Sequence, residues 1–244
     1  MKNFLKSRIL STAVVAAASL LAGTSANAAL VSWGTWNGVT DNTAIQATAG
    51  FTVGGVNFNG STTTISNGTT NVVFTGIGPA SSGATAGITV SNSGFGFTST
   101  AASNSNVVSA VGAPTTWTTV LDQVIGDFDN SASISLSGLT VGSSYYVQFF
   151  SSAPDRDILT NSTITSGGVA SPAFGGHTSG LTRSIIGSFT ADGTVQTFAV
   201  NGTEPTYSAL VIGVRPAAVT IPEPASIALV SLASACLLRR RRLA

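Results

Sequence analysis

Three observations predict an all-β ectodomain, a jelly roll or related β-sandwich. Short β-branched and aromatic clusters alternate with polar residues, Gly, Ser, Thr and Asn fill the intervals between them, and only one segment carries a helical period. The two ends of the 244-residue chain have a different character and are set apart from this fold.

At the N-terminus, Lys2, Lys6 and Arg8 form a basic region followed by an apolar run over residues 9–21. Ala26 and Ala28 flank Asn27 in an A-x-A cleavage site, which places the mature start at Ala29. Residues 1–28 therefore read as a signal peptide, and residues 29–216 as the ectodomain. Residues 217–221 are a linker to a C-terminal segment over 222–244.

Strand-like alternation recurs at residues 51–53, 56–58, 72–74 and 88–90, then at 134–136, 145–150, 185–189, 195–200 and 209–214. Asn-Gly pairs begin at Asn37, Asn59, Asn67 and Asn201, and this pair supplies the positive φ angles of tight hairpins. One segment departs from the pattern. Trp117, Val120, Leu121, Val124 and Ile125 recur at helical spacing, which predicts a short helix near 116–125. Thr115 or Thr116 can cap it and Gly126 can end it, with Trp117 packed inward.

Charge changes meaning once the ends are removed. Residues 29–221 hold three arginines, Arg156, Arg183 and Arg215, against eight acidic residues, a net charge of −5. This region has no lysine and offers no basic footprint for nucleic acid or anionic lipid. The single cysteine, Cys236, lies in the C-terminal segment, so the ectodomain has neither disulfide nor thiolate. Stability must then come from core size, for which about 190 residues suffice.

The C-terminal segment has three parts: Pro222, Glu223 and Pro224, then fourteen uncharged residues over 225–238, then Arg239, Arg240, Arg241 and Arg242. The apolar run is shorter than the roughly twenty residues of a full span. It suits a membrane helix whose arginines snorkel to the phosphates and hold the cytoplasmic side. The two prolines keep the upstream backbone extended. This order resembles the PEP-CTERM sorting signal of exopolysaccharide-producing Gram-negative bacteria. The resemblance implies processing near Pro222, Glu223 and Pro224 by exosortase, a transpeptidase-like membrane enzyme, after transient insertion. An ordinary uncut anchor shares the same topology.

A second resemblance rests on residues 126–130 (GDFDN), 137–142 (SGLTVG), 145–157 (YYVQFFSSAPDRD), 186–196 (IGSFTADGTVQ) and 207–210 (YSAL). Together these are similar to the jelly-roll ectodomains that accompany PEP-CTERM tails in Planctomycetes and Verrucomicrobia, which look like galactose-binding-like domains. The resemblance implies a fold and no catalytic signature.

Site candidates are few. Asp127, Asp129 and Asn130 make an oxygen-rich loop that could supply half of a structural Ca²⁺ site. The loop lacks the Glu and Gly of an EF-hand, and turn-forming Asx residues are its default reading. Asp155, Arg156 and Asp157 offer acceptors and donors for sugar hydroxyls, or stabilise their own loop by ion pairing. Trp33 and Trp36 suit core and rim packing, and His177 has no second imidazole with which to build a zinc site. Glu204 is the ectodomain's one glutamate, and no G-x-S-x-G or H-E-x-x-H is present. The sequence is thus read as an exported, non-enzymatic surface or matrix protein without a cofactor. Its expected role is structural or adhesive beside exopolysaccharide. A carbohydrate-binding module and a hydrolase are the rival readings.

Overall fold

The computed structural model describes residues 28–100, 115–127, 132–152, 158–177, 182–202 and 205–217. They form a β-sandwich of an eight-stranded and a seven-stranded sheet, with a small three-stranded sheet at one side. The first sheet holds β1 (Ser32–Trp33), β2 (Asn37–Gly38), β3 (Thr52–Phe58), β4 (Thr63–Ser66) and β5 (Asn71–Ile77). It is completed by β11 (Ser144–Ser152), β15 (Thr182–Thr190) and β18 (Ala209–Arg215). The second holds β6 (Ser82–Thr85), β7 (Ile88–Ser93), β10 (Ser133–Ser137), β12 (Ile158–Ser166), β13 (Val169–Ala170), β14 (Phe174–His177) and β16 (Val195–Asn201). The third joins β8 (Phe97–Thr100), β9 (Gln123–Gly126) and β17 (Thr206–Tyr207).

Strand order in the first sheet is β1-β15-β11-β18-β3-β5-β4, with β2 also on β15. In the second it is β13-β12-β16-β10-β7-β6. Every pair is antiparallel except β3 and β5, which run parallel with Gly55 opposite Phe74. Where two glycines stand side by side in β3, the ring of Phe74 lies in the space that a Cβ on Gly55 would need.

Burial explains why the strands read differently in the sequence. The first sheet is covered on both faces, so β11 is buried along nearly its whole length. Tyr145, Val147 and Phe149 face the core between the sheets, where Phe149 meets Trp33, Phe198 and Tyr207. Tyr146 and Phe150 face a second apolar layer with Val39, Ile45, Phe74, Trp117, Val120 and Leu121. The second sheet is covered on one face only, and β10 and β16 alternate strictly between buried and accessible.

The helix α1 runs over Thr115–Asp122, three residues short of the predicted end. Val124 and Ile125 belong to β9, which pairs with β8 and β17. The helical stripe and the buried strand face coincide here because β-branched residues accept either geometry when both neighbours bury them. Trp117 is fully buried, with its ring 5.2 Å from Phe150 and 5.7 Å from Phe74. Its indole N–H is buried with no hydrogen-bond partner, so packing alone holds it.

Of the four Asn-Gly pairs, only Asn67 and Gly68 close a hairpin, between β4 and β5. Asn67 Oδ1 accepts the N–H groups of Thr69 (3.0 Å) and Thr70 (2.8 Å), and its Nδ2 donates to Ile45 O. Asn37 and Gly38 form β2 itself. Asn59, at φ 61°, turns the chain away from β3 to β4, with which β3 does not pair, and Asn201 ends β16. The two-residue hairpin β6–β7 uses Ala86 and Gly87 at φ 49° and 77°, a pairing of positive angles the sequence does not advertise.

Candidate functional site

The N-terminal stretch is pinned by two buried glutamines, one from each sheet. Gln196 on β16 accepts the Ala29 N–H (2.9 Å) and donates to the Ala29 carbonyl (2.8 Å) and Ser166 Oγ (2.7 Å). Its amide thus completes Ala29 as a neighbouring strand would. A Cβ on Gly167 would overlap the carbonyls of Ala28 and Ala29, so the socket is closed on that side by glycine. Gln148 on β11 repeats the device. It accepts the Gln46 N–H (2.8 Å) and donates to Ala44 O (2.8 Å), while Tyr146 Oη donates to Gln46 O (2.7 Å). Burial pushes the Tyr146 phenol up to about 12 and raises Tyr207 as well, so both stay neutral, and Tyr146 remains a donor. Ala29, the predicted mature start, is itself buried.

The predicted site residues do not converge. Asp127 is buried and bridges its own loop, with Oδ2 accepting the Ala132 N–H at 2.9 Å. Asp129 and Asn130 lie outside the described residues, as do Asp155, Arg156 and Asp157 and Glu204. Among the described residues no cluster of three or more His, Cys, Asp or Glu could hold a metal ion. His177 is the last residue of β14, opposite Ile158. Trp33 packs toward the core, and Trp36 sits at the rim against Phe174, 4.7 Å away, with Nε1 donating to Pro172 O.

Three shallow troughs open on the described surface. One, of about 340 Å³, is bordered by Asn57, Thr62, Thr116, Thr119 and Gln123. The other two, about 480 and 330 Å³, share Phe51 as a common wall. Phe51 packs against Tyr146 with the rings tilted and 5.2 Å apart, and carries the Arg215 guanidinium over its ring at 5.2 Å. None of the three is lined by a carboxylate, a histidine or a cysteine.

The outer face of the second sheet is a regular surface of short side chains. Strand register aligns Ser82, Ser91, Ser135 and Thr197 in one cross-strand row. Ser93, Ser133, Ala199 and Thr165 form the next, and Ala84, Thr89, Ser137 and Val195 a third. Asn201 and Thr163 complete the face. Hydroxyls pair across strands, Ser93 with Ser133 and Ser135 with Thr197, each at 3.0 Å. The signal for this face was present as Ser or Thr alternating with apolar residues in β7, β10 and β16, but alternation alone does not show which strands lie side by side.

The fold ends where the tail begins: β18 closes at Arg215, and Ala217 N–H donates to Ser143 Oγ at 3.2 Å. Residues 220–242 match the family model of the PEP-CTERM protein-sorting motif. The chain carries a PEP-CTERM sorting signal. No curated protein and no solved structure matches the chain. The PEP-CTERM motif indicates exosortase-dependent export to the cell surface. Pro222, Glu223 and Pro224, the run 225–238 and Arg239–Arg242 all lie outside the described residues. No helix among the described residues is long and apolar enough to cross a membrane.

Proposed function

We propose that this protein is a non-enzymatic, structural or adhesive component of the cell surface or extracellular matrix, sorted by exosortase-type processing and associated with exopolysaccharide. Residues 1–28 act as a signal peptide, and residues 225–238 hold the chain in the inner membrane until the tail is cut near Pro222, Glu223 and Pro224. The observation that carries the reading is the sorting motif at residues 220–242 attached to a β-sandwich; the three troughs described above, lined by no carboxylate, histidine or cysteine, support it. The low charge of the ectodomain and its hydroxyl-rich surface support residence in a hydrated glycan matrix.

The test is intact mass spectrometry of the protein from surface and inner-membrane fractions. Surface material should begin at Ala29 and end near Pro224. A chain that still ends at Ala244 and stays in the inner membrane would overturn the sorting and leave a tethered periplasmic domain.

A further inference from the structure

We infer that docking of Ala29 in the Gln196 socket closes the Ala28–Ala29 bond to signal peptidase. Residues 1–28 then come off before the N-terminal segment docks, and a chain that folds first retains them. The inference rests on the signal-peptide reading proposed above and adds the regulation of its cleavage site.

A peptide bound as an extended strand gives its main-chain hydrogen bonds to the protein that holds it, and a peptidase needs those groups free on both sides of the bond it cuts. Downstream of Ala28 they are already taken. Ala29 is buried, with its N–H and carbonyl held by the Gln196 amide at 2.9 and 2.8 Å. Val31 lies in the core between the sheets, Ser32 and Trp33 pair with Ser188 and Gly187 on β15, and Gly34 N–H donates to Ile186 O at 2.8 Å. Leu30 alone in this stretch has a largely exposed side chain.

The carbonyl that a peptidase has to attack, that of Ala28, lies against Gly167 in the turn between β12 and β13. A Cβ on Gly167 would come 2.8 Å from Ala28 O and overlap the Ala29 carbonyl. Gly187 makes the same kind of room a few residues on, where a Cβ would come 2.7 Å from the Trp33 ring and 2.8 Å from Val31 Cγ1. Two glycines distant in the sequence thus seat one segment, and that segment begins at the predicted cleavage bond. Proteolytic nicking concentrates at exposed loop tips, whereas a docked strand is cut only from a locally opened state, at a rate set by how often it opens. Gln196 Oε1 can also accept from the α-amino group that cleavage leaves on Ala29, so the same seat serves the cut chain. The order of events therefore decides the product. A chain cut before docking starts at Ala29, and one that folds first keeps the basic residues and the apolar run over 9–21.

The experiment follows loss of residues 1–28 by intact mass spectrometry when the full-length precursor in detergent meets purified signal peptidase. Precursor diluted from urea together with the peptidase is compared with precursor refolded beforehand, its fold checked by circular dichroism. The unfolded chain should be cut after Ala28, and the refolded chain at least about tenfold more slowly. Gln196→Leu and Gly167→Ala, which disturb the seat from opposite sides, should each speed cleavage of the refolded chain several-fold. Val72→Ala loosens the second apolar layer, remote from Ala29, and should not. With two seat variants the test survives the misfolding of either. Equal rates for refolded and unfolded precursor, or no gain in a seat variant that folds, would overturn the inference and leave the signal-peptide reading intact. An equal gain in Val72→Ala would also overturn it, because protection would then come from the fold as a whole and not from the seat. A bond left uncut even in the unfolded chain would remove the signal-peptide reading itself, and the inference with it.

Discussion

Gln196→Leu tests how the segment around Ala29 is held. Gln196 is 1% exposed and satisfies both backbone groups of Ala29, together with Ser166 Oγ. Leucine has nearly the same volume, so the substitution leaves little cavity and isolates the polar loss. If the segment stays docked, the Ala29 N–H and carbonyl are buried without partners at about 1–3 kcal/mol each, partly offset by the buried leucine. If the segment detaches instead, Val31 loses its burial at about 1.5–3 kcal/mol and Trp33 loses its packing on Phe149 and Phe198. Both routes cost about 3 kcal/mol, so the loss should settle near that figure. For a domain of this size that lowers Tm by about 6–12 °C. Thermal unfolding measures the total, and hydrogen exchange at Val31 and Trp33 separates the routes, since only detachment exposes those amides. A Tm within about 2 °C of the parent, with Val31 and Trp33 still protected, would refute the argument. In that case the glutamine clamp contributes nothing to holding the N-terminus.

Three further outcomes are expected. Trp117→Ala should cost about 3–5 kcal/mol, because it empties a site closed by Phe74 and Phe150, and denaturant unfolding would show it. Burial pushes the half-buried Asp122 carboxyl up to about 6 from its ordinary 3.8. The fold therefore favours the neutral acid, and stability should fall as pH rises from about 4 to 6. With its solvent screening the effect is about 1 kcal/mol, and Asp122→Asn should flatten that window and stabilise the protein at neutral pH by a similar amount. An unchanged pH profile in urea denaturation would refute it. Finally, replacing Pro222, Glu223 and Pro224 by alanine should trap the chain in the membrane fraction with Ala244 intact, as read by mass spectrometry.

The parts of this protein legible in the sequence are those fixed by local pattern. The alternation at 134–136 and 195–200 becomes β10 and β16 because each buries one face, and the aromatic-rich segment 145–150 becomes β11, which is buried on both faces with Gln148 satisfied by hydrogen bonds. The sorting motif is legible because its order of residues is its function. Strands such as β4, β6 and β12 escape notice because Thr, Ser and Gly fill them, and their neighbours decide their conformation. The same non-locality hides Gln148 and Gln196, whose partners lie about a hundred and 167 residues away. It also hides the hydroxyl face, which exists only once β6, β7, β10 and β16 stand in register. Asn-Gly fails as a hairpin marker at Asn59 because the positive φ angle is used to leave the sheet rather than to fold back on it.

The position of β18 connects the fold to the tail. The last strand before the sorting signal lies at the centre of its sheet, with seven residue pairs to β11 and six to β3, both antiparallel. A terminal strand on a sheet edge has one ladder and can peel away bond by bond. One between two partners must break both ladders together when pulled along its axis, since the hydrogen bonds lie across that direction. Load applied through the C-terminus therefore reaches a central strand of the first sheet, paired along both edges. The second sheet meanwhile does not share that strand and keeps its outer face uncovered. Load on the C-terminus thus enters the domain through the first sheet, and the second sheet takes it only through the core between them.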